Sequence, residues 1–107
     1  MRVVLVPWNA SAAFYDYLLQ LLKPSCAYLT FTRKGASDLH ISALIKTGTP
    51  IFVHENEGYP YESNIQGWLG ELDPDRLSQV SCYSLWGDRQ RSLLCNLYKE
   101  HEKKFVV

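Results

Sequence analysis

The stretch from Arg33 to His40, RKGASDLH, combines residue types that bind anions. Gly35 lets the backbone approach a phosphate, Ser37 can donate a hydrogen bond, and Arg33 can pair with negative charge. The plainer interpretation is a turn at Gly35, a helix N-cap at Ser37, and a favourable charge at Asp38 beside the helix dipole. The stretch therefore predicts either an anion site or an ordinary helix start.

Two further polar groups follow apolar runs. Asn9 comes directly after RVVLVPW, and His54 and Glu55 end the run IFVHE. If both runs are parallel strands, their carboxyl ends meet at one edge of a sheet, where ligands bind in open α/β folds. The sequence therefore predicts a ligand site that joins these residues to the stretch 33–40.

Common catalytic motifs are missing from the chain. It contains neither GxGxxG nor GxxxxGK[ST], and no GxSxG elbow accompanies a serine. Arg89 stands one residue too far from Cys82 for a phosphatase Cys-x5-Arg loop. The three cysteines are widely spaced, with no CxxC pair and no zinc-ligand spacing to a histidine. We expect structural thiols, no metal and no cofactor, and the sequence assigns no reaction.

The composition is that of one globular domain. The 107 residues are 47% apolar and carry 11 Lys and Arg against 11 Asp and Glu, so the net charge is zero. A neutral chain has no general attraction to nucleic acid or to anionic membranes. No apolar run approaches the length of a membrane span, and the N-terminus lacks a secretory signal. We therefore predict a single cytoplasmic domain over 1–107 with neither nucleic-acid nor membrane partners.

Apolar periodicity and turn residues predict alternating strands and helices. The predicted strands are 2–8, 26–32, 51–55 and 79–86, and the predicted helices are 9–24, 37–48, 63–72 and 87–105, with a loop at 55–63 and a turn at LDPD. Gly48 is expected to end the second helix in a left-handed conformation. The residues predicted to face the core are Phe14, Tyr17, Leu18, Leu21 and Leu22 in the first helix, Ile41, Leu44 and Ile45 in the second, Leu93, Leu94, Leu97 and Tyr98 in the last, and Trp68 and Trp86.

This alternation predicts an α/β fold. We expect a three-layer sandwich with a four-stranded, mainly parallel sheet in the order 2-1-3-4 and helices on both faces. In that order the strand order reverses between the first and third strands, because the chain steps along the sheet one way before this point and the other way after it. This placement puts Asn9 beside His54 and Glu55.

Two segments carry a family resemblance. GASDLHISALIKTGTPIFV resembles the loop, helix and buried strand of nucleoside 2-deoxyribosyltransferases and related Rossmann-like nucleotide-processing proteins, and YSLWGDRQRSLLCNLYKEH is similar to their closing strand and helix. The resemblance implies a nucleotide-binding fold. The family's nucleophilic glutamate falls on His40 here, so the resemblance excludes a glycosyl-enzyme intermediate at that position.

The leading hypothesis is a domain that binds a nucleotide-like or other anionic small molecule at the carboxyl edge of the sheet. Its predicted ligand-binding residues are Asn9, Arg33, Gly35, Ser37, Asp38, His54 and Glu55. The alternative is a protein-binding module, of the inhibitor or immunity type, that uses the acidic, tyrosine-rich loop 55–63. Its predicted partner-binding residues are Trp8, Glu57, Tyr59 and Tyr61. A homodimer formed through an exposed helix face is also compatible with the sequence.

Overall fold

Helices and strands alternate along the chain. The computed structural model describes residues 3–6, 9–30, 38–55, 65–72 and 74–107. The helices are α1 (Ala12–Leu22), α2 (Asp38–Lys46), α3 (Ile65–Glu71), α4 (Pro74–Gln79) and α5 (Asp88–Leu97); the strands are β1 (Ala27–Leu29), β2 (Ile51–His54), β3 (Cys82–Ser84) and β4 (Phe105–Val106); and a 3₁₀ helix, Lys99–Lys104, precedes β4.

The four strands form one parallel sheet in the order β1-β2-β3-β4. The α/β class and the four-stranded parallel sheet are thereby confirmed. The predicted order 2-1-3-4 is wrong, because each strand pairs with the one that precedes it along the chain. The strand order therefore does not reverse anywhere in this sheet, and the crevice expected at such a reversal is lost.

The predicted first strand does not form in its described part. Residues 3–6 belong to no strand, and Val3, Val4 and Leu5 are exposed, Leu5 by 90%. Val6 is half-buried against the core. A β-branched run favours extended structure but becomes a strand only where it finds a partner. The fourth place in the sheet belongs instead to β4, which the sequence did not predict.

Only one face of the sheet is covered by helices at the described positions. The inner face carries Ala27, Leu29, Ile51, Val53, Tyr83 and Phe105, which pack in or against the hydrophobic core. The opposite side, here called the open face, carries Tyr28, Phe52, His54, Cys82, Ser84 and Val106. Right-handed crossovers that always step in one direction place their helices on one side of a sheet, so the expected second helical layer is absent there.

Helix α1 begins after a capping serine, and it turns a different side to the core than the apolar periodicity predicts. The Ser11 side chain accepts a hydrogen bond from the Phe14 N–H at 3.2 Å. Tyr15 and Leu19 are buried, whereas Phe14, Tyr17 and Leu21, all predicted to face inward, are exposed. Their rotation outward was not predictable, because apolar residues surround most of this helix.

Helix α2 packs beside α1. Ile41 and Leu44 are fully buried as predicted, whereas Ile45 is 41% exposed. Gly48 has a φ of 70°, the left-handed conformation expected at the helix end. The His40 ring lies 4.6 Å from the ring of Tyr15 in α1, so His40 links the two helices.

The C-terminal elements close the sheet. Pro74 and Asp75, which the sequence placed in a turn at LDPD, instead begin α4, a helix that was not predicted, with Pro74 at its first position. Leu94 of α5 is buried as predicted, whereas Leu97 is half exposed. Two cations fasten this region: Arg91 Nε donates to the Phe105 carbonyl at 2.9 Å, and Lys104 Nζ donates to the Leu77 carbonyl at 2.8 Å, at the end of α4. A cation at a helix C-terminus is favourable because the last carbonyls carry partial negative charge.

Tyr15 makes the stability of the fold sensitive to alkaline pH. Burial raises the pKa of its hydroxyl above the ordinary value of 10.0. The unfolded chain then loses this proton before the folded chain does, so the free energy of unfolding falls as the pH rises above about 10. We expect Tyr15→Phe, which keeps the ring against His40, to flatten this fall in urea denaturations from about pH 9 to pH 11. Tyr17→Phe, at an exposed position of the same helix, should change nothing; identical pH profiles for all three proteins would contradict the assignment.

Candidate functional site

The carboxyl ends of the strands bring together residues from β2 and β3. The Glu55 N–H donates to the Ser84 carbonyl at 2.9 Å, which continues the pairing of these strands by one residue. The Leu85 N–H donates to the Val106 carbonyl at 2.8 Å in the same way between β3 and β4. Glu55 and Leu85 are therefore held at the same edge by backbone hydrogen bonds.

Glu55 is a carboxylate in the protein interior. Its exposure is 3%, and the Tyr83 hydroxyl donates to its Oε2 at 3.1 Å. Tyr83 is itself 1% exposed and lies on the inner face of β3. An acidic side chain is rarely buried without partners because desolvation disfavours its charged form. The pair joins the centre of the core to the carboxyl edge.

A buried amide orders the turn after β3. Gln90 is 1% exposed, and its Oε1 accepts a hydrogen bond from the Trp86 N–H at 2.9 Å. Gln90 lies in the first turn of α5, so it fixes this helix to the end of the strand. The Trp86 side chain, predicted to pack in the core, is instead 58% exposed.

His54 stands on the open face between two aromatic rings. Its ring centroid lies 6.5 Å from that of Tyr28, at 20° between the planes, and 6.2 Å from that of Trp86, at 36°. His54 is half-buried, whereas both neighbours are exposed. The three rings form a diagonal row across β1, β2 and the end of β3.

The structure brings two of the predicted ligand-binding residues together, His54 and Glu55. They point to opposite sides of β2, Glu55 to the interior and His54 to the open face. Asn9 is exposed and lies two residues before the Ser11 cap of α1. Since the strand expected before it does not form over 3–6, its predicted place beside His54 is lost.

The remaining predicted residues lie beyond what the structure describes. Arg33, Gly35 and Ser37 are outside the described ranges, and Asp38 begins α2 but its side chain is also outside them. The residues of the protein-binding alternative are outside as well: Trp8, Glu57, Tyr59 and Tyr61.

A shallow cavity of about 430 Å³ lies at the other end of the strands. Its lining comes from the ends of α1 and α2 that lead into β1 and β2: Leu19, Gln20, Lys23, Pro24, Thr47 and Thr49. The Thr47 and Thr49 hydroxyls lie 2.8 Å apart and are hydrogen-bonded to each other. This cavity is at the amino edge, away from the predicted site.

The carboxyl edge offers hydrogen-bond acceptors and aromatic rings. Glu55 and Tyr83 place a buried carboxylate and a buried hydroxyl there, and His54 a half-buried ring with a donor and an acceptor. Such groups suit a ligand that presents hydroxyl or amino groups beside a planar ring. Among the described residues, no three His, Cys, Asp or Glu side chains come together as metal ligands. Nor does any helix in these ranges have the length and apolar character needed to cross a membrane.

Tyr83 and Gln90 are the site residues that sequence reasoning missed. Tyr83 lies inside an apolar run, where a tyrosine is usually a core residue. Tyr83 shares one side of the strand with Leu85, two residues later, which indicates that it faces the core. A tyrosine hydroxyl buried there needs a hydrogen-bond partner, and this need was the available signal. Gln90 lay in a polar stretch, DRQR, whose inward side is not visible from the sequence.

Comparisons with protein-family models, with curated proteins and with solved structures find no match to this chain. Function therefore has to be argued from the site itself.

Proposed function

We propose that this domain binds a nucleotide-like small molecule at the carboxyl edge of its sheet. The observation that carries the proposal is the buried Glu55 carboxylate, held by Tyr83 at the end of a central strand. Folding alone seldom favours such a group, because burying a carboxylate costs more than burying an apolar side chain of the same size. Ligands of parallel α/β sheets bind at this edge.

The proposed contacts divide between two parts of the ligand. The ligand spans the end of β2: on the inner side Glu55 accepts hydrogen bonds from hydroxyl or amino groups of a sugar or base, and on the open face the rings of His54 and Trp86 stack against a planar group. The anionic part is assigned to the entrance of α2, where Arg33, Gly35 and Ser37 precede Asp38. A negative charge beside Glu55 is unfavourable, so the phosphate must point away from it. The proposal includes no reaction.

A thermal-shift screen with nucleotides, nucleosides and sugar phosphates tests this proposal. A ligand at a hundredfold excess over its Kd stabilises by about 2.7 kcal/mol, which raises the Tm of a domain of this size by about 10 °C. We expect Glu55→Gln to abolish most of that shift, since the amide retains an acceptor for Tyr83 but loses the charge. Arg33→Ala and Ser37→Ala should weaken binding of the phosphorylated compounds alone.

Glu102→Gln is the matched control, because it makes the same change at an exposed position of the 3₁₀ helix. It should bind as the wild type does. The proposal fails if no compound shifts the wild-type Tm, or if Glu55→Gln keeps the full shift of a compound that does.

A protein-binding function is the second candidate, and a different observation favours it. Tyr28 is 65% exposed and Trp86 58%, on a sheet face that helices do not cover at those points. Aromatic residues are enriched in protein interfaces. This surface lies on the sheet, whereas the predicted interface was the loop 55–63.

A further inference from the structure

The open face of the sheet lacks the cover that parallel sheets normally have. Almost all such sheets are buried on both sides, yet Tyr28, Phe52 and Val106 are 65%, 41% and 40% exposed. Trp86 continues the same side of β3 beyond its end and is 58% exposed. We propose that a second copy of this chain covers the open face, so that two sheets pack face to face around a two-fold axis.

The chemistry of the face suits a copy of itself. Its described positions carry no Lys, Arg, Asp or Glu side chain: they are Tyr28, Phe52, His54, Cys82, Ser84, Val106 and Trp86. A two-fold interface brings the same patch of both copies together. Two copies of a charged face would repel each other, whereas this face carries no charged side chain at its described positions. The chain as a whole also has zero net charge, so the two copies do not repel each other in general. A strongly charged partner, by contrast, would find no complementary charge here.

The area of the face matches a weak dimer. Taking about 200 Å² for a fully accessible aromatic side chain, the exposed parts of Tyr28, Phe52 and Trp86 amount to roughly 330 Å². The smaller side chains of the face bring this to roughly 450 Å² per copy, so that two copies bury about 900 Å². Weak, transient interfaces bury less than about 1,200 Å², and this area is in their range. We therefore expect a Kd on the order of micromolar.

Another apolar surface competes for the same role. Three apolar residues form an exposed stripe along α1: Phe14, Tyr17 and Leu21. A homodimer through an exposed helix face, which the sequence allows, would use this stripe. An amphipathic helix can leave such residues in solvent, because its backbone groups are hydrogen-bonded within the helix itself. The sheet face is favoured because parallel sheets are normally covered on both sides.

Sedimentation equilibrium over a range of concentrations tests the proposal. We expect wild-type protein to pass from monomer to dimer, and Tyr28→Ser to raise the dimer Kd at least about tenfold, as expected for an aromatic interface residue. Tyr17→Ser is the matched control, since it removes the same side chain at nearly the same exposure, 60% against 65%. It should leave the Kd unchanged. A wild-type protein that stays monomeric, or a dimer weakened only by Tyr17→Ser, overturns the proposal.

Cysteine alkylation provides a second measurement that needs no change to the face. Cys82 lies on the open face and Cys95 on α5, and both thiols are half-buried. In a Cys26→Ser background, iodoacetamide should modify Cys82 more slowly as the protein concentration rises, while the rate at Cys95 stays constant. Protection of Cys82 that is independent of concentration would mean that a segment of the same chain covers the face, and would overturn the dimer. His54 and Trp86 belong to both proposed surfaces, so a bound ligand should raise the dimer Kd. Glu55 is buried on the other side of β2, so Glu55→Gln should abolish ligand binding and leave the dimer Kd unchanged, which separates the failure of one proposal from that of the other.

Discussion

Phe105→Ala is expected to lower the free energy of unfolding by about 3–5 kcal/mol, the usual cost of deleting a fully buried aromatic side chain. Phe105 is 1% exposed, and its ring meets that of Tyr83 edge-on with 6.2 Å between the centroids. The variant leaves a cavity between β4 and β3, beside the tyrosine that holds Glu55. The carboxyl edge should therefore loosen together with the core.

Urea denaturation at neutral pH measures this loss. Val106→Ala is the natural control, because it changes the next residue of the same strand on the open face, where the side chain is 40% exposed. It should cost about 1 kcal/mol or less, measured at concentrations where the chain is monomeric. Equal losses at the two positions would show that β4 does not dock with Phe105 inward.

Ile41→Ala should cost about 2–5 kcal/mol, since Ile41 is fully buried where α2 packs on the core. Ile45 is the same residue type one turn later on this helix, and it is 41% exposed. Ile45→Ala should therefore cost about 1 kcal/mol or less. Both substitutions end in alanine, so helix propensity changes equally and the difference reports burial alone.

Midpoints of urea unfolding, compared at an unchanged m-value, give both numbers. If Ile45→Ala proves as harmful as Ile41→Ala, the inward side of α2 includes Ile45, as the periodicity alone had predicted.

Local signals were sufficient to predict most helices. Ser11 caps α1, and Gly48 ends α2 in the conformation that its position demands. Both features depend on a few neighbouring residues, and the conformation of Gly48 was predicted from the sequence. The inward side of α1 was not predictable in this way. Its helix is apolar on most sides, and only packing against α2 selects Tyr15 and Leu19 over Phe14 and Tyr17.

Strand pairing was the less predictable part of the fold. Residues 2–8 have a better strand composition than Phe105 and Val106, yet the described residues 3–6 lie outside the sheet while the C-terminal pair lies within it. A pairing is decided by distant segments, and β4 gains its place through contacts from Arg91 and the core position of Phe105. The charged run KEHEKK before β4 resembles the end of a helix, so the predicted helix extended to Phe105 and the strand was not recognised.

The candidate site was predictable as a location but not as a set of contacts. His54 and Glu55 end a recognisable strand, so their place at the carboxyl edge followed from the alternation of elements. Their opposite directions follow from the two-residue period of a strand. The partner of Glu55 was not predictable, because Tyr83 lies on the neighbouring strand β3, and the sequence does not reveal the register of β3 with β2.

The sequential order of the strands also bears on how this chain folds. Because β2 pairs with β1, β3 with β2, and β4 with β3, each pairing closes a single crossover. Loop-closure entropy is then lost in small, similar steps, and no strand has to be inserted between two strands that have already paired. The sheet can therefore grow from β1 toward β4 in the direction of synthesis, with Phe105 completing the core as the last large side chain to be buried.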